Sequence, residues 1–186
     1  MKIAITGTIG SGKSTVCEYI RSKGYDVFDC DLENKYLLEN DSKTLKKIKK
    51  HFPECVIDNK IDKKILSSIV FEDIKKKQLL ESIMHPLILD RLLDRKDNPL
   101  FAEVPLLFEV NWDKYFDTNI LVISNIDLVY ERLKERGLDI SDIENRINNQ
   151  MDVNEKLKRA DKIIYNNGSL DELYIAVDKI IEEILC

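Results

Sequence analysis

A glycine-rich segment near the amino terminus matches the pattern G-x-x-x-x-G-K-[ST] in full. It reads Gly7-Thr8-Ile9-Gly10-Ser11-Gly12-Lys13-Ser14. Glycines let the backbone curl until its N–H groups point at phosphate oxygens, and the helix that follows presents its positive end to the same anion. In this pattern the lysine reaches the β- and γ-phosphates and the serine hydroxyl ligates Mg²⁺. The segment predicts a binding site for the phosphates of a nucleotide, which we assign to Gly10, Ser11, Gly12, Lys13, Ser14 and Thr15.

Three carboxylates follow apolar segments and could act on a phosphoryl acceptor or a metal ion. Asp29 and Asp31 come after the short segment 26–28, and Glu103 lies near the end of the segment 100–104. Ligands of open α/β sheets bind beyond the carboxyl ends of strands, so we expect these groups to face the phosphate loop. Glu103 would hold Mg²⁺ through water; the alternative is an ordinary charge at the end of a strand.

Phosphoryl transfer to a hydroxyl group needs a carboxylate that orients the hydroxyl and accepts its proton. We assign this role to Asp31 and make Asp29 a supporting group or a ligand of metal-bound water. Because side chains alternate along an extended segment, one of the two would point away, and the sequence leaves open which one. The alternative is a pair of solvated aspartates in a turn.

Three arginines lie in a charged stretch that also contains Gly137: Arg132, Arg136 and Arg146. Phosphoryl transfer develops negative charge on the equatorial oxygens. A lid that places arginines over the phosphates stabilises that charge and excludes water. We predict that Arg136 acts in this way and that Arg146 also binds ATP. The alternative for each arginine is an ordinary solvated helix face.

One string in the chain imitates a guanine-binding motif. Asn59-Lys60-Ile61-Asp62 spells N-K-x-D, but no glycine has an aspartate three residues before it, as the D-x-x-G motif of GTPases would require. The string also lies outside the predicted sheet. We therefore interpret it as a chance match in a loop that enters a helix.

Composition excludes several classes of protein. The 186 residues are 44% hydrophobic and 34% charged, with a net charge of -5, which argues against a nucleic-acid binder. No apolar run approaches the length of a membrane helix, and the first residues do not resemble a signal peptide. The four cysteines, at positions 17, 30, 55 and 186, lack metal or redox spacing. We expect a cytoplasmic monomer that binds neither membranes nor nucleic acids.

Short β-branched apolar segments alternate with helical patterns, which predicts an α/β fold with a five-stranded parallel sheet and helices on both faces. The predicted strands are 2–6, 26–28, 100–104, 119–123 and 162–165. The segment 31–98 contains no glycine and is rich in Leu, Ile, Lys and Glu, which favours a helical insertion. We divide the chain into a core (1–30, 99–125 and 160–186), a helical substrate domain (about 31–98) and a lid (about 126–159).

The order of motifs resembles the dephospho-coenzyme A kinase family along nearly the whole chain. The phosphate loop is common to many families, whereas the later markers are more specific to this one. In chain order the markers are the phosphate loop, Asp29-Cys30-Asp31, His85-Pro86, Pro105-Leu106-Leu107-Phe108-Glu109, Arg132, Arg136-Gly137, Arg146, Gln150, Lys156, Ala160-Asp161, Asn166 and Gly168.

The resemblance implies a P-loop kinase fold of the nucleoside-monophosphate-kinase type with a mobile lid. It implies transfer of the ATP γ-phosphate to the ribose 3′-hydroxyl of dephospho-coenzyme A. It places Asn166 near the adenine of ATP and places Asp29, Asp31, His85, Leu106 and Glu109 near the acceptor. The sequence departs from the family pattern where Glu103 replaces Asp, and also at Val129 and Tyr165.

Two other functions fit the same phosphate loop. A nucleoside or nucleotide kinase would use the same core with a different acceptor, although the long helical insertion favours a large one. A non-catalytic nucleotide-binding switch would yield no phosphorylated product, and the missing D-x-x-G motif counts against it.

Overall fold

The computed structural model describes residues 1–185, in two compact units. The core unit comprises Met1–Phe28 and the chain from Lys96 onward, and the insertion unit comprises Asp29–Arg95. Cys186, the last of the four cysteines, lies outside the described residues. The helices and strands, in chain order, are β1 (Lys2–Gly7), α1 (Lys13–Ser22), β2 (Asp26–Asp29), α2 (Cys30–Asn40), α3 (Ser42–His51), β3 (Val56–Ile57), β4 (Lys60–Ile61), α4 (Lys63–Glu72), α5 (Ile74–Leu93), β5 (Leu100–Glu103), β6 (Thr118–Ile123), α6 (Ile126–Glu135), α7 (Ile140–Asn148), α8 (Val153–Arg159), β7 (Lys162–Tyr165) and α9 (Leu170–Leu185).

Within residues 1–185, five strands form one sheet in the order β2-β5-β1-β6-β7. The pairs β1–β5, β1–β6 and β6–β7 run parallel. The central strands are buried along almost their whole length, as expected for a parallel sheet that is covered on both faces. The predicted α/β class and parallel sheet are confirmed.

A large apolar cluster fixes α1 and α9 against the sheet. Ile3 and Ile5 of β1 meet Val16 and Ile20 of α1, and Val177 belongs to the stripe that α9 contributes. These side chains are almost fully buried, and burial of an aliphatic side chain stabilises a fold by about 1.5–3 kcal/mol. The packing holds the start of α1, and with it the phosphate loop, against β1.

The helices of the insertion unit share one way of starting. Each begins after an aspartate whose carboxylate accepts hydrogen bonds from one or two backbone N–H groups of the first turn, which satisfies donors that the helix itself leaves unpaired. The four aspartates are Asp29, Asp41, Asp62 and Asp73.

One local prediction for this unit was half right. The string Asn59-Lys60-Ile61-Asp62 does lead into a helix, because α4 begins at Lys63. It is not a plain loop, however: β3 and β4 pair as an antiparallel hairpin, and Asp58 and Asn59 take positive φ angles at its turn. In the same unit, α5 continues through Pro86. Buried Ile83, Met84 and Ile88 on either side of the proline hold the helix in place.

The helices were compared with the length and apolarity of membrane-spanning helices. None of those in the described part of the chain combines the length and the apolarity that a membrane span requires.

Candidate active site around the phosphate loop

The phosphate loop joins β1 to α1 with a backbone that only glycine adopts easily. Gly10 and Gly12 have φ angles of 72° and 90°, in the left-handed region. A hydrogen bond from Ser11 N to Thr8 O, 3.2 Å long, closes the turn. Gly12 directly precedes α1, so the positive end of that helix points into the loop. This arrangement is suited to an anion such as a nucleotide phosphate.

Lys13, Ser14 and Glu103 meet at the carboxylate of Glu103. Its Oε1 atom accepts hydrogen bonds from Lys13 Nζ at 2.6 Å and from Ser14 Oγ at 2.9 Å. Burial raises the pKa of the Glu103 carboxyl, but the hydrogen bond and charge of Lys13 and the hydroxyl of Ser14 outweigh it and bring the pKa below its usual value. The carboxylate is therefore ionised at neutral pH.

These oxygens fit the ligand chemistry of Mg²⁺. This ion takes oxygen donors and is usually held by one or two protein groups together with substrate phosphates and water. Ser14 Oγ and Glu103 Oε1 already lie within hydrogen-bond distance of each other at the phosphate loop. Within residues 1–185 no cluster of three or more His, Cys, Asp or Glu side chains forms an all-protein metal site.

Asn166 binds the backbone of the phosphate loop. It is 7% exposed, and its Nδ2 donates to Ser11 O at 2.9 Å. A Cβ atom on Gly12 would lie 2.2 Å from the same nitrogen, so the asparagine fills the space that the glycine leaves. The resemblance placed Asn166 near adenine, and that role stays a prediction.

Arg132 ties the loop to the strand ends beside it. Its guanidinium donates to Gly10 O at 3.4 Å, Ser124 Oγ at 3.0 Å and Asn166 O at 3.1 Å. The sequence groups Arg132 with the arginines predicted for the lid, whereas in the structure its guanidinium binds protein groups next to the loop. Helical spacing gives no signal of such backbone acceptors.

Arg136 and Arg146 lie at the surface. Arg136 follows the last residue of α6, and Arg146 is on α7; both side chains are exposed. No hydrogen bond or ion pair among the described residues connects either guanidinium to the phosphate loop. Their contact with ATP stays a prediction.

In the insertion unit, Asp29 and Asp31 have different surroundings. Asp29 Oδ1 accepts from the backbone N–H of Asp31 at 2.9 Å and of Leu32 at 3.0 Å, so its carboxylate caps α2. Asp31 lies in the first turn of α2 with an exposed side chain. His85 is half-buried in α5, and burial lowers its pKa although Glu81 opposes the shift.

Glu109 pairs with the buried cation of Lys156, one of the markers of the family resemblance. The side chain of Lys156 is 0% exposed, and its ammonium lies 2.7 Å from Glu109 Oε1 in an ion pair. The same oxygen accepts from Met151 N at 3.1 Å. Leu106, predicted with Glu109 near the acceptor, is 38% exposed. Charge pattern alone cannot show that a lysine is buried, so the pairing was missed.

The chain is similar to kinases of one family along its whole length. The family model for Dephospho-CoA kinase matches residues 1–172. A dephospho-CoA kinase of Thermus thermophilus is 37% identical, over 98% of this chain and 91% of its own length.

Two solved structures give the same comparison in three dimensions. A dephospho-CoA kinase from Campylobacter jejuni superposes with a TM-score of 0.73 at 32% identity, covering 99% of this chain and 98% of its own. A shikimate kinase from Acinetobacter baumannii, at 16% identity and a TM-score of 0.59 over 99% of this chain and 92% of its own, shares the fold.

Proposed function

The chain belongs to the dephospho-CoA kinase family, and on this premise we propose that it transfers the γ-phosphate of ATP to the ribose 3′-hydroxyl of dephospho-coenzyme A. The products are coenzyme A and ADP, so the reaction is the last step of coenzyme A synthesis. The observation that carries the proposal is the phosphate loop, with Lys13, Ser14 and Glu103 gathered at one carboxylate oxygen.

The core unit would bind ATP through the phosphate loop. The backbone N–H groups from Gly10 to Thr15 and the positive end of α1 would hold the phosphates, with Lys13 moving from Glu103 to the β- and γ-phosphates. Ser14 and Glu103 would hold Mg²⁺, Glu103 through water. When bound, this ion neutralises charge on the phosphates.

Asp31 would orient the acceptor hydroxyl and take its proton. The hydrogen bonds that Asp29 accepts from the start of α2 favour Asp31 for this task, because the Asp29 carboxylate already has a structural one. His85, Leu106 and Glu109 would line the acceptor site, as the family pattern implies. Arg136 and Arg146 would cover the transferring phosphate, and Asn166 would lie near adenine.

We further propose that the protein works as a monomer in the cytoplasm. A surface rich in both signs of charge and the reduced, buried thiols of Cys17, Cys30 and Cys55 support this setting.

The acceptor specificity tests the proposal. ADP release would be measured with purified protein, ATP and Mg²⁺ while the acceptor is varied among dephospho-coenzyme A, adenosine, AMP and shikimate. The proposal predicts turnover with dephospho-coenzyme A alone. Turnover with another acceptor would support the kinase chemistry but exclude dephospho-coenzyme A as the substrate. If no acceptor led to ADP release, a nucleotide-binding switch would be the better explanation.

A further inference from the structure

We propose that Gln150 is a positioning residue that fixes the phosphate loop to the segment between α7 and α8. Its side-chain carbonyl binds the backbone of the loop at Ile9, so that α7, which carries Arg146, keeps a fixed position relative to the bound phosphates. The catalytic consequence rests on the proposed function, whereas the contact itself does not.

The contact joins two distant parts of the core unit. Gln150 Oε1 accepts a hydrogen bond from Ile9 N at 3.0 Å, across 141 residues of sequence. Ile9 precedes the glycines, Gly10 and Gly12, whose positive φ angles shape the loop. The backbone of Gln150 is itself tied to α7, because its N–H donates to Ile147 O at 3.1 Å.

The residue after Gln150 is anchored to the segment that follows β5. Met151 N donates to Glu109 Oε1 at 3.1 Å, and that oxygen also pairs with the buried ammonium of Lys156. A fully buried lysine that lost its carboxylate would keep an uncompensated charge, so this pair resists separation. Arg159, at the end of α8, adds a hydrogen bond of 2.8 Å to Phe108 O. Gln150 thus reaches the loop from a segment whose own position is fixed by these contacts.

Apolar contacts hold the same part of the loop a second time. The side chain of Ile9 packs against a cluster formed by Val129, Leu133 and Ile143 of α6 and α7. Arg146 lies on α7, one helical turn before Gln150. The amide and the side chain of Ile9 are therefore both held by the part of the chain that carries the predicted lid arginine, and Gln150 supplies the directional hydrogen bond.

The experiment compares three variants of the full chain. Gln150→Met keeps the size of the side chain and removes the accepting oxygen, and Gln150→Glu keeps that oxygen. Asn149→Leu makes a matched polar-to-apolar change at the adjacent exposed position. Hydrogen exchange of the Ile9 amide is measured by NMR without nucleotide, together with kcat, the KM for ATP and the midpoint of urea unfolding. Gln150→Glu is used only for the exchange measurement, because its added charge acts on ATP directly.

In Gln150→Met we expect the Ile9 amide to exchange about tenfold faster and kcat to fall about tenfold, because one hydrogen bond is lost. The unfolding midpoint and the KM for ATP should change little. Gln150→Glu should restore the slow exchange, and Asn149→Leu should match the wild type. Unchanged exchange at Ile9 in Gln150→Met, or an equal fall of kcat in Asn149→Leu, would overturn the proposal. If the wild type phosphorylated no acceptor, the proposed function would fail, while exchange at Ile9 would still decide whether Gln150 holds the loop.

Discussion

At the scale of single residues, Asp29 and Asp31 are expected to have different roles. The sequence identified both carboxylates, because each follows a strand that ends at the predicted site, but alternation could not distinguish them. The hydrogen bonds from Asp31 N and Leu32 N to Asp29 Oδ1 show that Asp29 caps α2. The assignment of Asp31 as the base stays a prediction.

Asparagine substitutions at the two positions should separate these roles. We expect Asp31→Asn to lower kcat at least about 100-fold, because an amide cannot accept the proton of the hydroxyl. Asp29→Asn should cost only a few-fold, since asparagine caps a helix about as well as aspartate. Steady-state kcat with dephospho-coenzyme A measures both, and thermal unfolding checks that each variant folds. Near-normal turnover of Asp31→Asn would remove it as the base.

Glu103→Gln should raise the Mg²⁺ concentration needed for half-maximal activity by about tenfold. The amide of glutamine lacks the negative charge that binds metal-bound water and pairs with Lys13. The loss of one charge-assisted hydrogen bond corresponds to about a tenfold change. The readout is a titration of initial rate with Mg²⁺ at saturating ATP. Glu135→Gln, an exposed acid at the end of α6, is the control and should leave the curve unchanged. An unshifted curve for Glu103→Gln would exclude a metal role.

At the scale of elements, the sequence was informative where one segment alone decides its structure. Buried parallel strands are continuous apolar runs, so β1, β5, β6 and β7 could be predicted with nearly correct ends. The hairpin of β3 and β4 has two residues in each strand, too few for a periodic pattern. The continuation of α5 through Pro86 depends on neighbours that bury the helix, which local propensity does not include.

Pairings between distant residues were likewise invisible in the sequence. Glu109 and Gln150 were recognised as members of a family pattern, but their contacts with Lys156 and Ile9 cross large parts of the chain. Nothing in the spacing of a lysine shows that it is buried. The motif predicted which residues form the phosphate loop, and the fold reveals what holds the loop in place.

Two glycines with the same backbone angle test how the loop is held. Gly12 and Gly24 both have a φ of 90°, but a Cβ on Gly12 would lie 2.2 Å from Asn166 Nδ2, whereas a Cβ on Gly24 meets nothing within 4 Å among the described residues. We expect Gly24→Ala to lower the free energy of unfolding by about 1 kcal/mol and to keep ADP binding. Gly12→Ala should lose most ADP binding, measured by calorimetry. Equal ADP affinity in the two variants would contradict the proposed fit.

At the scale of the whole molecule, the chain consists of a core unit that contains the phosphate loop and an insertion unit that contains Asp31 and His85. The family match extends over residues 1–172 and therefore includes both units. The insertion unit has a buried interior of its own, with Leu37, Ile48, Phe52 and Leu92 among its members. If Asp31 is the base, as proposed, activity requires the insertion unit to be folded as well as the core unit.

Nucleotide binding should stabilise the whole chain through the phosphate loop. At about 100 times its dissociation constant, ADP with Mg²⁺ should add about 2.7 kcal/mol to the free energy of unfolding and raise the Tm accordingly. Lys13→Ala should lose most of this shift, because the ammonium no longer reaches the phosphates. Lys179→Ala removes an exposed lysine of α9 and should keep the full shift, as measured by thermal denaturation. The same rise in Tm for Lys13→Ala as for Lys179→Ala would show that ADP binds elsewhere.

The most direct test of the account is the identity of the product. The full chain would be incubated with ATP, Mg²⁺ and dephospho-coenzyme A, and the product characterised by mass and by ³¹P NMR. The account predicts one added phosphate on the ribose 3′-oxygen, ADP in equal amount, and no product with Lys13→Ala. An unmodified acceptor, or a phosphate on any other oxygen, would contradict it.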